Sequence, residues 1–92
     1  MVISKSNNGW ELYTIANGHL SCENFELDSG DIDKIEEILK PEFENVMKSE
    51  HIIVAYDNWS GVFIMQSPGF KTGHADEVIR KIYEFLAHLE SI

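Results

Sequence analysis

The side chains with the most capacity for chemistry are four histidines, one cysteine and sixteen carboxylates. His19, His51, His74 and His88 are scattered without a shared ligand spacing. His74 and His88 stand 14 positions apart in one helical segment, which puts them about four turns, roughly 21 Å, from each other and rules out a common metal. No CxxC, HExxH or calcium-loop pattern occurs, and no GxxxxGK[ST] or GxGxxG run cradles a phosphate. Serine, histidine and aspartate are all present, but no nucleophile elbow marks a triad. Cys22 is alone, so no intrachain disulfide forms; in a strand-like stretch it reads as a small buried hydrophobe. The residues therefore point away from an enzyme, and to neither metal nor cofactor.

The carboxylates carry the strongest signal. Between Glu23 and Glu50 ten acids face only Lys34, Lys40 and Lys48, so this segment holds −7 of the net −9. Such a field disfavours nucleic acid and anionic membranes and speeds encounter with a basic protein. Catalytic carboxylate pairs sit in clefts that separate their pKa values, whereas these fall on the polar side of a helix.

The elements that position these groups follow from periodicity. Trp10–Ala16 reads as a strand, Asn17-Gly18 as a type I′ hairpin turn, and His19 to about Leu27 as the return strand. The apolar phase slips between Leu20/Cys22 and Phe25/Leu27, which predicts a bulge near Glu23-Asn24. Asp28-Ser29-Gly30-Asp31 opens a helix, with Asp28 or Ser29 as the cap. Ile32, Ile35, Ile38, Leu39, Phe43, Val46 and Met47 then recur at helical spacing, leaving Asp33, Glu37, Glu44 and Lys48 on the opposite side. Pro41 predicts a kink or two short helices.

His51–Tyr56 is a continuous apolar run, expected of a central strand covered on both faces. Asp57-Asn58-Trp59-Ser60-Gly61 has loop chemistry, Val62–Gln66 is the next strand, and Pro68-Gly69 ends it. Thr72-Gly73 opens a second helix whose stripe is Ala75, Val78, Ile79, Ile82, Leu86 and Leu89, with Asp76–Arg80 and Glu77–Lys81 as ion pairs. The order is ββαββα. It predicts one α+β domain over residues 1–92, a four-stranded, mainly antiparallel sheet packed with two helices. No apolar run approaches a membrane span and the N-terminus lacks a secretory leader, so a cytoplasmic protein is expected.

Trp59, in the Tyr56-Asp57-Asn58-Trp59 loop, has two fates: folding back onto the core, or standing out as an interface anchor. Tyr83 and Phe85 flank the stripe of the second helix and either widen the core or stay partly exposed.

A single domain of about 90 residues with the acid-rich stretch DSGDIDKIEEILKPEFENVMKSE and no catalytic motif resembles the small acidic immunity proteins that neutralise bacterial toxins. The likeness is to those of contact-dependent growth inhibition systems in particular, and the chain is also similar to barstar-like nuclease inhibitors. The resemblance is one of profile and carries over no residue. It implies a cytoplasmic bacterial inhibitor bound to a cognate toxin domain, very often a basic nuclease. An active site that attracts polyphosphate is lined with Arg and Lys, and an acidic inhibitor exploits that field. The expected partner-binding set is Asp33, Glu37 and Glu44, with Asp31 and Glu36 at the edges, joined by Asp57 and Trp59 of the loop. The alternative is a regulatory or scaffold module that acts as a homodimer.

Overall fold

The computed structural model describes residues 1–15, 18–70 and 74–90. The chain forms β1 (Val2–Lys5), β2 (Trp10–Thr14), β3 (Leu20–Asn24), a short 3-10 turn (Ser29–Asp31), α1 (Ile32–Ser49), β4 (Ile52–Asp57), β5 (Gly61–Gln66) and α2 (Ala75–Ala87). The class is α+β, as expected. The sheet has five strands in the order β1-β2-β3-β5-β4, every neighbouring pair antiparallel. The additional strand is β1, four residues long, too short and polar to show a period of its own. It is held by pairing with β2 and by the Ser4 hydroxyl, 2.9 Å from the Tyr83 hydroxyl of α2.

Both helices pack on one face of the sheet. Ile35, Leu39 and Phe43 of α1 and Val78, Ile79, Ile82 and Leu86 of α2 share one cluster with Trp10, Leu12, Leu20, Cys22, Ile52, Val62 and Ile64. Tyr83 joins this core, and Phe85 packs edge-on against Phe43 at 5.6 Å, tying α1 to α2. Strand alternation sends the intervening residues to the other face, on which no helix lies among the described residues. That open face carries Glu11, Tyr13, Ser21, Glu23, Phe63, Met65, Ile53 and Ala55.

Four expectations are corrected. The run His51–Tyr56 forms an edge strand, not a central one, because β4 pairs only with β5 and α1 covers a single face. The exposure on both of its faces shows it: Ile53 on the open face is 38% and Tyr56 on the helix side 37% exposed. The β2–β3 ladder runs without a bulge from Trp10↔Asn24 to Thr14↔Leu20. The apolar phase slips there because the chain leaves the sheet after Asn24, whose side chain accepts the Glu26 N–H at 3.0 Å while its carbonyl accepts the Leu27 N–H. The irregularity in the sheet falls instead between Val2 and Ser4 of β1.

Of the two expectations for Pro41, the pair of short helices is corrected: α1 is one continuous helix of 18 residues with Pro41 inside it. Pro41 is exposed, and buried Leu39 and Phe43 anchor the segments on either side of it. Asp76 does not pair with Arg80 but accepts the Leu20 N–H at 3.0 Å, joining α2 to the start of β3, whereas Glu77 and Lys81 pair at 3.5 Å.

The turn at Asn17-Gly18 and the helix start at Thr72-Gly73 involve residues outside the described ones, apart from Gly18, whose φ is 79°. The hairpin itself is present: the Ile15 N–H donates to the His19 carbonyl at 2.7 Å. Gly61 (φ 73°) opens β5 where a Cβ would fall on the Asn24 carbonyl oxygen and the Phe25 Cα. A side chain has no room there.

Candidate protein-binding surface

Four of the five acids of the first helix gather on one side of it, with Glu42 apart from them toward α2. Asp28 and Asp31 close the helix entry reciprocally: Asp28 Oδ1 accepts the Gly30 N–H at 2.8 Å, and Asp31 Oδ2 accepts the Asp28 N–H at 3.0 Å. Asp31 is thus half-buried and occupied as a cap. Asp33, Glu36 and Glu37 are exposed, and Glu44 is half-buried with Lys40 Nζ 3.9 Å away. Asp33, Glu36, Glu37 and Glu44 line an open groove of about 470 Å³ between α1 and the start of β4, together with Lys40, Lys48, Met47 and Ile52. Two lysines among four acids leave a muted field, and the floor is aliphatic.

Asp57 and Trp59 stand elsewhere, at the β4–β5 connection. Asp57 Oδ1 accepts the N–H groups of Trp59 (2.9 Å) and Ser60 (2.6 Å), an Asx arrangement that shapes the tip. The indole points outward and is 89% exposed. Of its two expected fates, folding back is excluded. The predicted set therefore splits into a helix group and a hairpin group.

The hairpin group has companions that sequence reasoning missed. Glu11, Tyr13, Glu23, Phe25, Trp59 and Ser60 line a cleft of about 230 Å³ at the edge of the open sheet face. Glu11 and Glu23 are direct cross-strand partners, a placement in which like charges destabilise a sheet. Burial pushes the Glu23 carboxyl above its ordinary range; the charges of Asp57 and Glu11 push the same way, and the Ser21 and Ser60 hydroxyls pull back. The Tyr13 hydroxyl is likewise raised, by burial first and then by Glu11 and Glu23. Lys5 approaches Glu11 at 3.8 Å with an exposed side chain, a contact of little net strength in water. Phe25, in the turn after β3, is 68% exposed.

The signal that could have found this cleft lies in the register. Three residues separate Ile15 from its partner His19, and this places Glu11 opposite Glu23; a two-residue turn would have set Leu12 there and turned one strand over.

The arrangement suits recognition. Among the described residues no group of three or more His, Cys, Asp or Glu is disposed to hold a metal ion, and no helix is long and apolar enough to cross a membrane. Cys22 is buried in the core with its thiol pushed well above its ordinary range by burial, and then by Glu23, so thiolate chemistry is suppressed there. Compared with known proteins, the chain matches no family model, no curated protein and no solved structure.

Proposed function

We propose that this chain is an immunity-type inhibitor that acts in the bacterial cytoplasm by binding a basic toxin domain, a nuclease being the class whose charge it best complements. One observation carries the reading: an almost fully exposed indole, held out on an Asp57-ordered turn, stands beside facing carboxylates on an uncovered sheet face. An exposed Trp next to Phe25 and Tyr13, on a face that also carries half-buried Phe63 and Met65, is the composition of an interface centre. The acids around it supply charge complementarity and the long-range attraction that speeds docking.

The docking centre in this reading moves from α1 to the open face, with the helix acids Asp33, Glu36, Glu37 and Glu44 acting at longer range. The test is co-expression with the toxin domain encoded beside this chain's gene. Growth should be protected and the two chains should purify as one complex; unprotected growth with no complex rejects the proposal. A homodimeric module is the second reading, favoured by the free edge of β4 with exposed Ile53 and Tyr56. A size that doubles with concentration in the absence of any other protein would select it.

A further inference from the structure

We propose that the cleft between Glu11 and Glu23 is a slot for one arginine side chain presented by a protein partner. The inference rests on the protein-binding reading and names what that surface recognises.

Three independent features converge. The pairing of Glu11 with Glu23 sets two carboxylates on neighbouring strands, with Cβ atoms about 4.5–5.5 Å apart. Among the described residues Glu23 has no cationic partner, and the only one near Glu11 is the exposed Lys5. Second, the Ser21 hydroxyl, on the same face and two residues from Glu23, is 1% exposed; it stands near enough to the Glu23 carboxyl to hold its pKa down but meets full hydrogen-bond geometry with no protein group. A buried hydroxyl left in this state calls for a partner.

Third, the walls are aromatic: Tyr13, Phe25 and Trp59. A guanidinium is planar, stacks on aromatic faces and offers its N–H groups in a fork to carboxylates; an ammonium is a compact, strongly hydrated point charge. The cleft's volume of about 230 Å³ is below the ~300–1,000 Å³ of small-molecule sites. It takes a side chain. The groove beside α1 has its own lysines and an aliphatic floor, so it lacks the stacking surface.

The full chain is titrated with N-acetyl-arginine methylamide while its NMR spectrum is followed, with the lysine and citrulline analogues as controls. Shifts should concentrate on the Trp59 indole, Tyr13 and the Glu11 and Glu23 carboxyls, strongest for arginine and absent for neutral citrulline. Glu23→Gln should weaken arginine binding by about tenfold or more, as expected for a hydrogen bond to a charged group. Glu84→Gln, at an exposed position of α2, should leave it unchanged, and thermal melts establish that both variants fold.

Equal response to lysine, shifts centred on the α1 groove, or no saturable shift would each overturn the slot. So would the same resonances moving on dilution without arginine, which would make a second copy the occupant. Loss of the slot with growth protection intact rejects only the slot. Arginine seated as described, without protection, rejects the inhibitor reading alone.

Discussion

Glu23→Gln tests whether the open face retains carboxylates at a cost to folding. Two unit charges about 5 Å apart repel by about 0.8 kcal/mol in the fully solvated limit, and like charges directly across a sheet cost between about 0.2 and 1 kcal/mol. Glu23 is only half-buried, so the solvated figure applies, and the gain from the neutral isostere at about pH 7 is about 0.5–1 kcal/mol. For a domain of this size that corresponds to a rise in Tm of about 2–8 °C.

The pH dependence has a definite sign. The folded Glu23 carboxyl lies above its ordinary value of 4.5, so the native state binds its proton more tightly than the unfolded chain. Wild-type stability therefore falls as pH rises from the unfolded value through the folded one. Glutamine does not titrate. The advantage of Glu23→Gln should be at its smallest near about pH 3, where both states are protonated, and complete by about pH 7. Thermal and urea denaturation of both proteins across this range measures it. A variant less stable than wild type at neutral pH, or a difference that does not change with pH, would refute the electrostatic account of the pair.

Trp59→Ala should leave stability within about 0.5 kcal/mol, since the indole is exposed, yet weaken toxin binding by about 2–4 kcal/mol if it anchors the interface; paired denaturation and calorimetry distinguish the two. Reversing Asp33, Glu37 and Glu44 to Lys should slow association and flatten its salt dependence while dissociation stays near wild type, read by stopped-flow and surface plasmon resonance. A reversal that instead speeds dissociation returns the docking centre to α1. Gly61→Ala should destabilise by about 1–3 kcal/mol, because φ of 73° and the adjacent Asn24 carbonyl both exclude a Cβ; urea unfolding reports it.

Much of the sheet was legible because β2, β3, β4 and β5 begin and end near turn chemistry that local sequence announces. What local sequence lacks is the identity of neighbours. The run Ile52–Tyr56 is apolar enough for a central strand, yet which strands flank it depends on where β3 lies, a matter of chain-wide topology. Glu23 looked like one more member of an acidic tract, and Glu11 like an isolated polar residue in a strand. Only their pairing makes them a site. Phe25 was read as a strand residue out of phase, and it is instead an exposed ring in the turn that follows β3.

By itself the sequence determined the two helices and the faces they bury, since a 3.6-residue period is a local property: Ile35, Leu39 and Phe43 of α1 and Val78, Ile79, Ile82 and Leu86 of α2 are buried as their spacing requires. It likewise determined the acidic charge of the α1 segment and the outward position of Asp33, Glu37 and Lys48, whereas Glu44, expected with them, is half-buried. Tertiary structure decided the register that faces Glu11 with Glu23, the exposure of Trp59 and the placing of both helices on one side of the sheet. These depend on contacts between distant residues, where a one-residue slip reverses a strand's faces without altering its local pattern.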